Sequence, residues 1–193
     1  MNFVTSVGGS VVRLGRLFVL GNSALLGSGV TRVSVAGSRK IDSASSAWLR
    51  SVVDSFHSGS VLVSGLALGA DSVAHRRALQ LNIPQIAVLP SGFNNITPRS
   101  HIGLARDIIA SGGCLVSLLS PDCGASRSTY INRNQVIAEL GSCLIVPQFN
   151  IHSGTRHTVD LARELGKPII VRSSGASGNQ FIINSPNYHT LAK

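Results

Sequence analysis

Short runs of apolar residues, rich in valine, isoleucine and leucine, recur along the whole chain. Each run contains at most one polar residue and none alternates regularly with polar residues, which is typical of strands buried on both faces of a parallel sheet. A half-exposed strand would instead show a polar residue at every second position. We therefore predict buried strands at residues 17–20, 33–36, 61–63, 86–89, 114–118, 144–147 and 169–172.

The segments between most of these runs carry apolar residues at helical spacing. Ala44, Trp48, Val52 and Phe56 recur every four residues, which places them in one stripe along a helix that can cover the sheet. Asp42 precedes this stripe, where its carboxylate can cap the start of the helix. Further helices are predicted at residues 72–81, 99–110, 131–140, 155–165 and 179–184.

The alternation of strands and helices predicts an α/β fold, with a Rossmann-like, doubly wound, mostly parallel sheet and helices on both faces. The chain has 193 residues, 44% of them hydrophobic, which is enough for one such domain and too few for two. We therefore expect residues 1–193 to form a single domain. No apolar run approaches the length of a membrane span, so we expect a soluble protein without membrane contact.

The stretch VSGLALGADSVAH at residues 63–75 places small residues at the end of a predicted strand. The strand is followed by Ser64 and Gly65, and a glycine turn that includes Gly69 leads into a helix. Ligands of doubly wound sheets bind beyond the carboxyl ends of the strands. Bare backbone N–H groups ahead of a helix suit an anion there, because the helix dipole favours negative charge.

Three further segments place comparable residues at the same edge of the sheet. A single Gly-Ser pair would indicate only a tight turn, whereas four such segments together predict a polar, cationic rim that binds an anion. The residues of these three segments are Gly37, Ser38, Arg39, Ser91, Gly92, Ser153, Gly154 and Thr155.

The charge of the chain favours phosphate as the anion. There are 17 lysine and arginine residues against 8 aspartate and glutamate residues, a formal net charge of +9. Such an excess is unusual for an enzyme of small neutral metabolites and common in proteins that bind phosphates. The alternative is a basic surface that serves only solubility.

Cysteine usage indicates a reducing compartment. Cys114, Cys123 and Cys143 are odd in number and lack a Cys-x-x-Cys spacing, so we expect free thiols in the cytoplasm and no disulfide framework or zinc site. Residues 1–41 contain no acidic residue and five basic ones, a composition that superficially fits an organellar transit peptide.

The sequence lacks the common motifs of cofactor binding and catalysis. It contains no Gly-x-Gly-x-x-Gly, Gly-x-x-x-x-Gly-Lys-Ser/Thr or Gly-x-Ser-x-Gly, so we expect no dinucleotide cofactor, ATP hydrolysis or serine nucleophile. His152 and His157 are five residues apart and would not share a helix face as a zinc pair must. For His75 we favour a core histidine bonded to a backbone carbonyl over a ligand-binding role at the rim.

Six segments of the sequence stand in a definite order: VSVAGSRK, VSGLALGADSVAHRRAL, IAVLPSGFNNITPRSH, YINRNQVIAELGSCLIVPQ, SGTRHTVDLARELGKPIIV and SGNQFIINSPN. In this order and spacing they resemble the DNA-processing protein A family, also called DprA or Smf. The resemblance extends from Leu17 to Asn187, so we assign residues 17–187 to the family's core domain and residues 1–16 to an N-terminal extension. Since LFVLGNSALL resembles the strand and turn before the family's Gly-Ser-Arg segment, we reject the transit-peptide interpretation.

The resemblance implies a homodimer whose Rossmann-like core binds single-stranded DNA through its phosphates and carries out no catalytic reaction. It also implies a role in DNA uptake and recombination, in which members protect incoming strands and load a RecA-type recombinase. The family's phosphate-binding positions match Gly37, Ser38, Arg39, Ser64, Gly65, Arg133, Asn134, Ser153, Gly154 and Thr158. From the rim segments themselves we add Lys40, Gly69 and Thr155.

Arg39 is the expected phosphate-binding cation, because a planar guanidinium can grip a phosphate with two hydrogen bonds. Aromatic residues make up only 5% of the chain. We therefore expect affinity for a strand to come mainly from phosphates and backbone amides, and binding to depend strongly on salt.

The sequence departs from the family's pattern in three places. The family's Arg-Asn-Arg-Ile-Ile-Ala-Gly-Leu is RNQVIAEL here, so Gln135 replaces an arginine and Glu139 replaces a glycine. We expect an anion so close to the site to weaken DNA binding. Thr97 replaces a tyrosine before Pro98. We expect the further domains that many family members carry to be absent from these 193 residues. This leaves open whether the protein loads a recombinase. Cations that could compensate for the lost arginine are Lys40, Arg99, Arg127 and Arg156.

Two other functions compete with strand binding. A sensor or carrier of a nucleotide-like small molecule, as found in the wider superfamily that includes the LOG proteins, could use the same rim, although the net charge favours the polymer. A phosphoribohydrolase similar to the LOG enzymes would need Gly-Gly-x-Gly-Thr-x-x-Glu. The matching stretch here is HSGTRHTVD, which lacks the carboxylate that such glycosidic cleavage requires.

Overall fold

Every apolar run singled out in the sequence forms a strand of one sheet. The structure is a computed structural model, and it describes residues 2–185 and 190–192. The strands are β1 (Val11–Leu14), β2 (Leu17–Gly21), β3 (Arg32–Val35), β4 (Val61–Ser64), β5 (Gln85–Leu89), β6 (Cys114–Ser117), β7 (Cys143–Val146), β8 (Ile169–Val171) and β9 (Thr190–Ala192).

These strands pair in the order β1-β2-β6-β5-β4-β3-β7-β8-β9. Neighbours from β6 across to β9 are parallel, whereas β1 pairs with β2, and β2 with β6, in antiparallel fashion. The prediction of a mostly parallel, doubly wound sheet is therefore confirmed. Later strands are added on one side of β3 as far as β6 and on its other side from β7 onward, so the strand order reverses between β3 and β7.

The helices are α1 (Phe3–Ser6), α2 (Ser43–Asp54), α3 (Ala70–Gln80), α4 (Ile102–Ala110), α5 (Arg127–Leu140), α6 (Gly154–Glu164) and α7 (Ser177–Ile183). Buried residues of α2, α3 and α4 pack on one face of the sheet, and those of α5, α6 and α7 pack on the other. The predicted cap of α2 is also confirmed, because the side chain of Asp42 accepts a hydrogen bond from the backbone N–H of Ser45 at 2.6 Å.

The first sixteen residues, expected to be an extension of the core domain, contribute directly to it. Phe3 of α1 is buried in the cluster formed by α4 and the neighbouring strands, and β1 forms an edge of the sheet. The expected end of the core at Asn187 lies outside the described residues. Within the described ranges, no helix combines the length and the apolar character needed to cross a membrane.

Candidate functional site

A cleft of about 480 Å³ opens at the carboxyl ends of β3 and β7, where the strand order reverses. This is the place where doubly wound sheets bind their ligands. The predicted site residues that line the cleft are Gly37, Ser38, Arg39, Lys40, Arg133, Asn134, Ser153, Gly154, Thr155 and Thr158. The structure thus brings together most of the residues that the sequence analysis singled out, and their role as ligand contacts stays a prediction.

The segment that follows β3 forms one wall of the cleft. The backbone N–H of Ser38 donates to the carbonyl of Gln148 at 2.7 Å, and the hydroxyl of Ser38 accepts from the N–H of Lys40 at 3.2 Å. A Cβ atom at Gly37 would lie 2.7 Å from the Cβ of Ala70, so only glycine lets the chain pass so close to α3. Arg39 and Lys40 are exposed beyond this turn.

The start of α6 forms the opposite wall. Ser153 is the residue before the helix, and its hydroxyl donates to the carbonyl of Asn150 at 2.7 Å and does not cap the helix. No acidic residue lies in the first turn of α6. The positive end of the helix dipole therefore faces the cleft without an opposing side-chain charge from its own first turn, an arrangement that favours an anion.

The floor of the cleft contains a buried arginine and a buried carboxylate. Arg133 is 6% exposed, and its Nη1 donates to the carbonyl of Gly65 at 2.7 Å. The same nitrogen lies 3.6 Å from Oδ2 of Asp71, an oxygen that also accepts from the backbone N–H of Ala67 at 3.2 Å. Burial lowers the pKa of Arg133, and the charge of Asp71 opposes this shift.

The ring of Tyr130 lies within cation–π distance of both arginines of the site. The guanidinium carbon of Arg39 is 5.4 Å from the centroid of the Tyr130 ring, and that of Arg133 is 5.7 Å from it. Sequence reasoning missed both Tyr130 and Asp71. Tyr130 stands three residues before Arg133, a spacing that places both on one helix face, and this signal could have identified it.

Three predicted residues lie beside the cleft and not in its lining. Ser64 is fully buried and its hydroxyl donates to the carbonyl of Val35 at 2.9 Å, so this hydroxyl is directed away from the cleft and a phosphate contact of Ser64 stays a prediction. Gly65 lines a smaller adjoining pocket of about 100 Å³. Gly69 has φ +75° and packs against the backbone of Ser38 and Arg39, so it shapes the wall of the cleft.

The rim segment at Ser91 and Gly92 does not reach the cleft. The hydroxyl of Ser91 donates to the carbonyl of Asn95 at 2.8 Å, and the N–H of Gly92 donates to the carbonyl of Cys123 at 2.8 Å. Four segments were expected to form one rim, and for the Ser91–Gly92 segment this expectation is wrong. These hydrogen bonds instead close a separate loop beyond β5 and β6.

The structure places Glu139 and Arg156 differently from what the sequence led us to expect for DNA binding. Glu139 is bonded to Arg16 of the β1–β2 turn and accepts from Gln135 at 2.8 Å, and it does not line the cleft. The anion that was expected near the site therefore lies away from it. Arg156 stacks on the ring of Phe181 at 4.3 Å and pairs with Asp160 at 2.7 Å, so it is not a free compensating cation.

His75 is a core residue, as the sequence analysis favoured. It is fully buried, and its Nδ1 lies 2.8 Å from the side-chain amide of Gln85, where a backbone carbonyl was expected. Burial lowers the pKa of His75, while Gln85 and Asp71 oppose the shift. Within the described part of the chain, histidine, cysteine and acidic residues are nowhere gathered in a group that could hold a metal ion.

Known proteins match both the sequence and the fold of the chain. Protein Smf of Escherichia coli is 34% identical over 175 residues, which cover 88% of this chain and 46% of Smf. The structure of DNA processing protein A from Streptococcus pneumoniae superposes with a TM-score of 0.83 at 28% identity, covering 91% of this chain and 62% of that one. The chain therefore spans about half the length of Smf.

A second solved structure shares the fold at lower sequence identity. DNA processing protein A from Helicobacter pylori has a TM-score of 0.84 at 22% identity, with 98% of this chain and 93% of that chain covered. The sequence model of the DNA recombination-mediator protein A family matches residues 15–185. With this match over most of its length, and with Smf as a relative, the chain belongs to the DNA recombination-mediator protein A family, which confirms the resemblance found in the sequence.

Proposed function

We propose that the cleft binds single-stranded DNA through its phosphates. One observation carries the proposal: the exposed cations Arg39 and Lys40 and the uncapped start of α6 line the same cleft. A guanidinium and a helix N-terminus are two of the groups that bind phosphate oxygens most often in proteins. The structural neighbour from Helicobacter pylori has a single-stranded DNA binding mode, and this supports the same class of ligand here.

Two walls flank the cleft, Gly37–Lys40 on one side and Ser153–Thr155 on the other. A phosphate bound in the cleft would therefore lie between them. The net charge of +9 supports an extended polyanion, because a single nucleotide does not need so many cations. Binding of this kind depends on backbone charge, so we expect weak sequence preference.

The biological role proposed here follows from the family. We propose that the protein acts in the cytoplasm as a homodimer, protects incoming strands during DNA uptake and recombination, and passes them to a RecA-type recombinase. Sedimentation of the purified protein tests the dimer, and pull-down with a recombinase on coated strands tests the partner. We propose no cofactor and no catalytic reaction, since the carboxylate of Asp71 in the cleft is bonded to Ala67 and lies against Arg133.

A second candidate function is supported by the size of the cleft. A volume of about 480 Å³ falls within the range of pockets that hold one small ligand. The cleft could therefore bind a mononucleotide or dinucleotide as a sensor or carrier would.

Fluorescence anisotropy separates the two candidates. Labelled oligothymidine strands of several lengths, the corresponding duplex and free mononucleotides are titrated with the protein at several salt concentrations. Length-dependent binding to the single strand with a steep salt slope supports the proposal. Saturable binding of a mononucleotide, with none of the strand, selects the second candidate, and binding of neither ligand refutes both.

A further inference from the structure

Two oppositely charged side chains meet in the floor of the cleft. Arg133 on α5 is 6% exposed, and so is Asp71 on α3. Nη1 of Arg133 lies 3.6 Å from Oδ2 of Asp71. Charges that are buried together in this way compensate each other, because either one alone would carry a large desolvation cost. Together the two side chains add no net charge to the cleft.

The hydrogen bonds of this pair are directed to the loop that follows β4. Arg133 donates from Nη1 to the carbonyl of Gly65 at 2.7 Å, and Asp71 accepts from the N–H of Ala67 at 3.2 Å. The pair thus holds both ends of the segment Gly65–Ala67. This segment contains Leu66 with φ +59°, a backbone conformation that L-residues rarely adopt and that its surroundings must maintain.

The chain is adapted to the close approach of Arg133. A Cβ atom at Gly65 would lie 1.3 Å from Nη1 of Arg133 and 2.8 Å from Oδ2 of Asp71. A side chain at this position would therefore displace the guanidinium from the carbonyl. Glycine at position 65 is thus explained by the packing of the pair as well as by any approach of a ligand.

Arg133 has little freedom to grip a phosphate directly. Its Nε is buried and has no hydrogen-bond partner among the described residues, and Nη1 donates to the carbonyl of Gly65. Nη2 is left for a ligand, and it belongs to a side chain that is almost fully buried beside the compensating charge of Asp71. A phosphate oxygen could reach the buried Nε only if Arg133 left its place. Arg39 differs in this respect, since it is exposed and directs its guanidinium over Tyr130 at the side of the cleft.

We infer that Asp71 and Arg133 form a charge-neutral pair that positions the Gly65–Ala67 loop, and that Arg39 and Lys40, not Arg133, bind the phosphates of the strand. The inference rests on the proposed function and assigns different roles to the cations of the cleft. Arg133 and Asp71 are positioning residues, whereas Arg39 and Lys40 touch the ligand.

The salt dependence of strand binding tests this division, because each cation that contacts a phosphate adds to the slope of log K against log salt. The variant pair Asp71→Asn/Arg133→Gln removes both charges and leaves the net charge of the protein unchanged. We expect it to weaken oligothymidine binding by the same factor at every salt concentration, so that its line runs parallel to that of the wild type. Arg39→Gln is the matched variant, and it should flatten the slope by about 0.7–1 unit. A slope reduced as much by the double variant as by Arg39→Gln overturns the inference.

A measurement on the wild-type protein covers the case in which the double variant does not fold. Arginine Nε–H signals in ¹⁵N NMR spectra are followed while oligothymidine is added. We expect the Arg39 signal to shift and the Arg133 signal to stay in place, and a larger shift at Arg133 overturns the inference. If the wild type binds no strand in the anisotropy titration, the proposed function itself fails. If the wild type binds the strand but Arg133 behaves as a phosphate contact, only the inference about the Asp71–Arg133 pair fails.

Discussion

The guanidinium carbon of Arg39 lies 5.4 Å from the centroid of the Tyr130 ring, so the exposed cation of the cleft rests on an aromatic side chain of α5. Such a contact contributes about 0.5–1 kcal/mol at an exposed site. It also limits the directions that a long, flexible side chain can take. A cation that is already ordered loses less entropy when it binds a phosphate.

Replacing Tyr130 tests this ordering. Tyr130→Leu should weaken oligothymidine binding by about two- to ten-fold, because ordering one long side chain on binding costs about 0.5–1.5 kcal/mol. The salt slope should not change, because no phosphate contact is removed. Tyr130→Phe keeps the aromatic face and should bind like the wild type. Anisotropy titrations measure both values, and equal losses for the two variants would show that the hydroxyl, not the ring, is what matters.

Gly69 provides a test of the backbone that shapes the cleft. Its φ is +75°, and a Cβ atom there would lie 2.2 Å from the carbonyl oxygen of Ser38. Gly69→Ala should lower the free energy of unfolding by about 1–3 kcal/mol and weaken strand binding, because it displaces the segment that carries Arg39. Chemical denaturation and anisotropy measure the two effects.

Gly103 is the matched control for Gly69. It lies in α4 with no heavy atom within 4 Å of an added Cβ, so Gly103→Ala should leave stability unchanged or raise it by up to about 1 kcal/mol. A Gly69→Ala protein as stable as the Gly103→Ala protein would contradict the role given to Gly69.

The burial of His75 predicts a pH dependence of stability. Burial lowers the pKa of His75 below its ordinary value of 6.5, so the unfolded chain takes up a proton at a higher pH than the folded protein does. The stabilisation is complete above about pH 6.5 and is lost as the pH falls below that value towards the folded pKa. One such group contributes at most about 1.4 kcal/mol per pH unit.

Denaturation at about pH 7.5 and about pH 5.5 measures this effect. The wild type should be less stable at the lower pH, and His75→Gln should lose part of the difference. His57 is exposed, and His57→Gln serves as the control that keeps the wild-type dependence. A His75→Gln protein with the full pH dependence of the wild type would show that other groups cause it.

The strands could be predicted because each buried parallel strand needs a continuous apolar run, and those runs are visible in the sequence. β1 was not predicted, since three of its four residues are exposed and the fourth is only half-buried, so it carries no such run. β9 was not predicted either. The antiparallel pairing of β2 with β6 was also not predictable, because the direction of pairing depends on distant parts of the chain.

The position of the cleft could be predicted for a similar reason. Parallel strands end at the same edge of the sheet, so Gly37–Lys40 and Ser153–Thr155 were expected to meet there, and they do. Burial of individual polar side chains could not be predicted, so the burial of the Ser64 hydroxyl against Val35 was not anticipated. For Arg156, the spacing to Asp160 on one helix face was visible in the sequence, but its stacking on Phe181 of another helix was not.

The salt dependence of oligothymidine binding by Arg39→Gln shows whether the cleft is where the protein holds a DNA strand. Arg106 on α4 is also exposed, lies outside the cleft lining, and supplies the control variant Arg106→Gln with the same change of charge. If the cleft binds the phosphates of a strand, Arg39→Gln should flatten the slope of log K against log salt by about 0.7–1 unit, and Arg106→Gln should leave it unchanged. Equal slopes for the wild type and Arg39→Gln would contradict the account and place the DNA elsewhere on the protein.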